Sequence, residues 1–368
     1  MRYLGARISD LPTPCLLVDQ SAMRRNLACM QSLVQGKGKS LRAHAKTHKS
    51  SCLATLQRES GAIGICAAKL SEAEVLIANK VGGILITGPV VTDEAHGRLI
   101  ACLEASPDLI ITLDDLDNAR RLSKKLEKQG RDLSCLIDLD PGFHRTGVPL
   151  EHAGEFASAL QTLPRIKIRG VQAYAGDLQH IQSFKERSEL SSQALGKAAG
   201  IADQLRLRGL EIDIFSVGGT GTAQIDANFP FVTEIQAGSY LLMDEEYSAI
   251  DWAETAPPFE SSLSLLTTVV SANHRKFATI DAGLKAMYRD GGIPRIVDPP
   301  NAGTFEWFGD EYGKITPASP DETFSVGQKI RLSISHSDPT VNLFDVFFAT
   351  NGDAVVDVYP IDMRGRSQ

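Results

Sequence analysis

The segment Arg42-Ala43-His44-Ala45-Lys46-Thr47-His48-Lys49 gathers three cations and two imidazoles into eight residues. If Leu41–Lys46 is a strand, its period of two sets Arg42, His44 and Lys46 on one face. An apolar core does not select that trio, so such a strand lines a site. A lysine at the C-terminal end of an inward-facing strand row is where a β/α barrel keeps a reactive amine. A Schiff-base lysine carrying pyridoxal phosphate (PLP) is one reading, and a solvated edge strand is the other.

Further chemistry follows other apolar runs. Leu133–Asp140 leads into Pro141-Gly142-Phe143-His144-Arg145-Thr146-Gly147, a turn-rich loop that offers the Arg145 guanidinium. Ile168–Tyr174 alternates Gln172 and Tyr174 on one face before Gly176. Ser216-Val217-Gly218-Gly219-Thr220-Gly221-Thr222 and Gly238-Ser239-Tyr240 are glycine turns whose exposed backbone N–H groups can cradle a phosphate. His336-x-Asp338 places an imidazole and a carboxylate two residues apart, on one face if the segment is a strand.

These residues need a scaffold that brings strand ends together. From residue 41 the chain alternates short β-rich runs with amphipathic stretches, the pattern of βα units and a parallel sheet. Eight strands are expected: Leu41–Lys46, Ile63–Ala68, Gly83–Thr87, Leu109–Leu113, Leu133–Asp140, Ile168–Tyr174, Ile212–Val217 and Val232–Gln236. Helices are expected at Ser71–Lys80, Asp93–Glu104, Leu116–Gly130, Glu151–Leu163 and Phe184–Leu207, while Gly218 to Phe231 is too short and irregular for a full one. Eight parallel strands imply a closed, TIM-type β/α barrel with its site at the C-terminal strand ends, and such barrels often hold phosphate after strands seven and eight. Beyond about residue 255 turn-separated strands imply a mainly-β domain, with 291–303 as a loop and Asn351-Gly352-Asp353 as a hairpin turn. The expected division is a barrel over 20–254 and a β-rich domain of 1–19 with 255–368.

The length of 368 residues permits a large core. A net charge of −7 and a pI near 5.7 argue against nucleic acid or an anionic membrane as partner and leave small molecules. No run of about 18 apolar residues and no signal-peptide core occurs, so the cytoplasm is the expected location. The six cysteines never form CxxC and read as small core residues.

Eight stretches now carry a resemblance: TPCLLVD (13–19), RAHAKTHKS (42–50), HRTGV (144–148), GVQAYAG (170–176), SVGGTGT (216–222), EIQAGSY (234–240), DAGLKA (281–286) and HSDPTVNL (336–343). In this order they resemble the fold-type III, alanine-racemase-like PLP enzymes, in the branch of D-threonine aldolase, D-3-hydroxyaspartate aldolase and D-serine dehydratase. The resemblance implies that Lys46 carries PLP, that Gly219, Thr220, Gly238, Ser239 and Tyr240 hold its phosphate, that Arg145 neighbours its phenolic oxygen, and that Gln172 and Tyr174 line the ring. His44 is a candidate for proton transfer or for cofactor support. The resemblance also places a divalent metal on His336 and Asp338. Related dehydratases have His-x-Cys there, whereas imidazole with carboxylate suits manganese first, with magnesium, cobalt or zinc as alternatives.

The implied activity is retro-aldol cleavage of D-3-hydroxy-amino acids such as D-threonine and D-allo-threonine to glycine and an aldehyde. The alternatives are a D-3-hydroxyaspartate aldolase releasing glyoxylate, or a D-serine or D-3-hydroxyaspartate dehydratase. The resemblance further implies a homodimer. His48 and His180 are weaker candidates, Asp281 with Lys285 reads as a structural ion pair, and Tyr312 stands where relatives carry histidine.

Overall fold

The computed structural model describes residues 3–253 and 257–368, so the expected boundary after residue 254 lies outside them. Two compact units form, one of Met1–Cys29, Thr47–Leu53 and Ser239–Gly365, the other of Met30–Lys46, Ala54–Gly238 and Arg366–Gln368.

Strand β1 (Cys15–Asp19) leads into helix α1 (Gln20–Gln35). The barrel follows with β2 (Ser40–His44), α2 (Ser51–Glu59), β3 (Gly64–Ala67), α3 (Leu70–Ala78), β4 (Ile84–Ile86), α4 (Asp93–Ala105), β5 (Ile110–Leu113), α5 (Leu116–Gln129) and β6 (Leu133–Asp140). A two-residue β7 (Val148–Pro149), α6 (Ala153–Gln161), β8 (Ile166–Ala173), α7 (Phe184–Leu207), β9 (Ile214–Val217), the four-residue α8 (Ala223–Asp226) and β10 (Glu234–Ile235) complete it. The pairing runs β2-β3-β4-β5-β6-β8-β9-β10 and back to β2, all parallel, which closes the barrel with β7 outside the ring.

Both faces of these strands are covered, and Gly64–Ala67, Ile84–Ile86 and Ile110–Leu113 are buried at every residue. The helices carry their own start signals. Asp115 accepts the Asn118 N–H at 2.6 Å to cap α5, and Gly130 ends it at φ 62°, where a side chain would be strained. Thr92 and Ser183 cap α4 and α7 in the same way.

In the other unit α9 (Glu245–Ser248) precedes β11 (Leu263–His274), β12 (Phe277–Ile280), β13 (Ile296–Asp298), β14 (Gly303–Trp307), β15 (Gly313–Pro317), β16 (Lys329–Ser333), α10 (Ser337–Val341), β17 (Val346–Asn351) and β18 (Ala354–Pro360). The sheet order is β14-β15-β12-β11-β1-β17-β18, with β16 on β11 and β13 on β16. Strand β1 lies antiparallel to β11 and parallel to β17, and Cys15 and Leu17 bury against Leu11, Leu266, Phe348 and Val355. The stretch 291–303 is not all loop, because the β-branched pair Ile296-Val297 forms β13 and Gly303 opens β14. Four cysteines are buried, Cys29 and Cys52 are half-buried, and none of the six forms a disulfide.

Candidate active site

A cavity of about 330 Å³ is lined by barrel residues, among them His44, Lys46, Arg145, Gln172 and Tyr174. Its remaining walls include Lys69, Thr87, Asp138, Phe143, Thr146 and Gln236. Strand β2 ends at His44, so Lys46 sits in the turn just beyond it. The His44 ring is held between two partners. Its Nδ1 receives the Lys46 backbone N–H at 3.3 Å, and its Nε2 meets the Thr87 hydroxyl at 3.3 Å.

Arg42 shares that strand face but does not line the cavity. Its guanidinium forms two 2.8 Å bonds with the Glu234 carboxylate, and both side chains are almost fully buried. It also donates to the Gly83 carbonyl at 2.6 Å. The expected cation row therefore divides into a buried ion pair deep in the barrel and two residues at the cavity. A hydrogen-bonded chain continues from that pair: Ser216 Oγ donates to Glu234 at 2.6 Å, Gln236 Nε2 reaches Ser216 at 2.8 Å and Gln172 Oε1 at 3.0 Å, and Gln172 Nε2 donates to Asp138 at 2.8 Å. Thr146 adds a 3.1 Å bond to Asp138. Burial pushes the Asp138 carboxyl up to about 6, although the Gln172 and Thr146 bonds favour its anion. The sequence signal for Asp138 was a carboxylate inside an apolar strand, and Gln236 stood within the motif 234–240.

The loop carrying Arg145 is organised by Asp140. One carboxylate oxygen accepts the Gly142 N–H at 2.9 Å and the His144 N–H at 3.0 Å, and the other meets the His144 ring at 2.7 Å. Burial raises the pKa of Asp140, but these bonds outweigh it and hold the carboxyl below the usual range. Arg145 lies 4.8 Å from the Phe143 ring centre and 5.5 Å from that of Tyr174, within cation–π range. Gly176 stays bare because a Cβ there would stand 2.8 Å from both rings.

Gly219, Thr220 and Gly238 lie in the barrel unit, while Ser239 and Tyr240 begin the final segment of the other. The first loop is tightly built. Gly218 has φ +78°, and a Cβ on Gly221 would come within 2.0 Å of the Gln179 carbonyl oxygen. Gln179 Oε1 accepts the Gly221 N–H at 3.1 Å, and its Nε2 donates to Thr222 at 3.1 Å. In the other unit Ser239 and Thr47 pair their hydroxyls at 3.3 Å.

His336 and Asp338 are not on a strand. His336 is the N-cap of α10 and Asp338 lies in its first turn, where the Asp338-Pro339 pair suits a helix start better than a ladder. His336 Nδ1 lies 3.0 Å from Asp290 and 3.8 Å from Glu246. Burial pushes the Glu246 carboxyl up; His336 opposes this, while Asp244, Asp290 and Asp338 add to it. Asp244 caps α9 and also accepts the Ser337 N–H at 2.8 Å, which ties α9 to α10.

The weaker candidates fall elsewhere. His48 is buried, and its Nδ1 accepts the Ser50 N–H at 3.1 Å, while His180 lies outside the cavity lining. Asp281 and Lys285 do not pair with each other. Asp281 accepts from Thr13 at 2.6 Å, Thr267 at 2.5 Å and the Thr268 N–H at 2.8 Å, and Lys285 pairs with Glu311. Tyr312 is exposed.

The cavity fits PLP chemically. It offers a lysine amine for an aldehyde, a guanidinium for an oxyanion and an aromatic wall, and a tight glycine loop over Gly218–Gly221 follows β9. Among the described residues no cluster of three or more His, Cys, Asp or Glu forms a metal cage. As a donor set, the imidazole of His336 with the carboxylate of Asp338 is chemically compatible with a borderline-hard divalent ion such as manganese.

Residues 18–246 match the family model described as alanine racemase, N-terminal domain, and residues 262–350 match a putative serine dehydratase domain. The chain is 35% identical over 366 residues to a D-threonine aldolase of Arthrobacter sp, covering 99% of this chain and 96% of that protein. It is 32% identical over 368 residues to a 3-hydroxy-D-aspartate aldolase of Paracoccus denitrificans (strain Pd 1222), covering 98% and 94%. The solved structure of a D-threonine aldolase from Filomicrobium marinum superposes with a TM-score of 0.95 at 31% identity, covering 99% of both chains.

Proposed function

The chain belongs to the alanine-racemase-like family of fold-type III PLP enzymes, and from that premise we propose that it is a PLP- and divalent-metal-dependent D-threonine aldolase. It cleaves D-3-hydroxy-amino acids, D-threonine and D-allo-threonine among them, to glycine and an aldehyde. The observation that carries this reading is the cavity that Lys46, in the turn just beyond the first barrel strand, lines together with His44, Arg145, Gln172 and Tyr174.

PLP, when bound, supplies the electron sink for the charge left on Cα as the Cα–Cβ bond breaks. A divalent ion held by His336 and Asp338 would supply Lewis acidity. Each of the remaining roles belongs to the chain itself. Lys46 Nζ is the amine that anchors the cofactor aldehyde. Arg145, stacked between Phe143 and Tyr174, presents positive charge to the phenolic oxygen. Gln172 is locked by its bonds to Asp138 and Gln236, so its amide wall is fixed before anything binds. His44, held by the Lys46 N–H and by Thr87, supports the cofactor and can exchange a proton at its Nε2 edge. Backbone N–H groups around Gly219-Thr220 and Gly238-Ser239-Tyr240 receive the phosphate. The hard carboxylate of Asp338, in place of a thiolate, favours manganese or magnesium and the aldolase over the dehydratase. The same reading makes the enzyme a cytoplasmic homodimer.

A second reading has one observation in its favour. Lys69 lines the cavity, is solvent-exposed, and forms no ion pair among the described residues. An ammonium there suits a second carboxylate, as in D-3-hydroxyaspartate.

The test is product release from PLP-loaded protein with manganese or with a chelator. Metal-dependent glycine and acetaldehyde from D-threonine and not L-threonine is the expected result. Pyruvate or oxaloacetate from D-serine or D-3-hydroxyaspartate, with no glycine, would make the enzyme a dehydratase.

A further inference from the structure

The segment 288–291 is fastened to the helix that carries the metal pair from both ends. The Tyr288 N–H donates to Thr340 Oγ1, on α10, at 3.1 Å. Three residues on, Gly291 presses against the approach to that helix: a Cβ there would stand 2.4 Å from the Ser335 carbonyl oxygen and 3.2 Å from His336 Cβ. Only glycine fits so close a backbone approach. Asp290 is held between these two anchors, with its carboxylate 3.0 Å from His336 Nδ1. Glu246, from α9, stands 3.8 Å from the same nitrogen.

An imidazole whose Nδ1 faces a carboxylate keeps its proton on that nitrogen and leaves Nε2 as the lone-pair donor. We propose that Asp290 is the positioning residue of the metal centre, fixing the His336 ring and tautomer so that Nε2 is the ligand nitrogen. The proposal rests on the assignment of His336 and Asp338 as metal ligands. Asp290 acts through His336 and does not itself touch the ion. Its loop is built for that task, because Gly291 and the Tyr288–Thr340 bond fix the carboxylate while the side chain itself stays half-exposed and adds little to the core. Carboxylate partners of ligand histidines are worth about 10–100-fold in metal affinity.

The experiment titrates PLP-loaded protein with Mn2+, following free ion by electron paramagnetic resonance, for wild type, Asp290→Ala, Asp290→Asn, Asp290→Glu and His336→Ala. Melting temperatures are measured without metal. Asp290→Ala is expected to weaken Mn2+ binding by about 10–100-fold with an unchanged metal-free melting temperature. Asp290→Asn, which keeps an acceptor but loses the charge, should fall between it and wild type, and Asp290→Glu should recover part of the loss. His336→Ala should abolish binding. Wild-type affinity in Asp290→Ala beside lost binding in His336→Ala overturns the positioning role and leaves the metal reading standing. Loss in Asp290→Ala as complete as in His336→Ala also overturns it, since Asp290 would then be a ligand. Wild-type affinity in His336→Ala removes the metal reading itself.

Discussion

Glu234 tests how the barrel is built beneath its cavity. Its carboxylate takes two 2.8 Å bonds from Arg42 and one of 2.6 Å from Ser216, and the side chains of Arg42 and Glu234 are 7% and 2% exposed. Replacing Glu234 with alanine strands a guanidinium in the barrel interior, where among the described residues only the Gly83 carbonyl still receives it. Removing one partner of so buried a pair costs about 3–5 kcal/mol, much of it the cost of the uncompensated charge. With 368 residues and an unfolding entropy of about 2.1 cal/mol/K per residue, that loss lowers the melting temperature by roughly 4–6 °C. The double replacement Arg42→Met with Glu234→Leu removes both charges and should return to within about 1 kcal/mol of wild type. Urea unfolding of the wild type, Arg42→Met, Glu234→Leu and the double variant measures the cycle, with Glu234→Ala beside it. A Glu234→Ala loss below about 1 kcal/mol would mean that water reaches Arg42 and that the guanidinium is not desolvated in the barrel. A double variant no better than the single one would show that shape, and not charge compensation, sets the cost.

Asp226 is fully buried, and burial lifts its carboxyl to about 6 despite bonds from Ser191 and Thr222. Its folded value lies above an unfolded value of about 3.9, so its contribution is fully present below pH 4 and is lost as pH rises through 6, by roughly 3 kcal/mol. The stability difference between Asp226→Asn and wild type should therefore move in the variant's favour by about that amount between pH 4 and pH 7, and a constant difference across this range contradicts the buried charge. Gly221→Ala places a methyl group 2.0 Å from the Gln179 carbonyl oxygen; it should cost more than about 2 kcal/mol in urea unfolding and weaken PLP binding, and wild-type behaviour would mean that the loop can move aside. Lys69→Met should lower kcat/KM for D-3-hydroxyaspartate by about tenfold or more while sparing D-threonine, and an equal effect on both substrates assigns Lys69 no part in reading a second carboxylate.

The barrel was legible because parallel strands covered on both faces appear as short apolar runs, such as Ile84–Ile86, between helices with capped ends, such as α5. Lys46 drew attention because a cation row contradicts a core, although the strand ends at His44 and Lys46 stands in the turn beyond it. Arg42 belonged to that row, but its partner Glu234 lies 192 residues away and no local pattern joins them. Asp138 left a signal, a carboxylate inside an apolar strand, whose weight only the folded network reveals. Asp290 and Lys69 left none, since each is one charged loop residue among many. His336 and Asp338 were placed on a strand from their alternation, whereas the Asp-Pro step turns the chain into α10. The Asp281–Lys285 pairing failed for a related reason. Sequence proximity suggested it, but threonine hydroxyls surround Asp281 and Glu311 takes the lysine.

Whether Lys46 holds the cofactor is tested by reducing the PLP-loaded enzyme with borohydride and locating the modified residue by peptide mass spectrometry. One pyridoxyl group is expected, on Lys46, with loss of the visible absorbance and of glycine release. A label on Lys49 or Lys69, or no label in a protein that still cleaves D-threonine, would contradict that assignment.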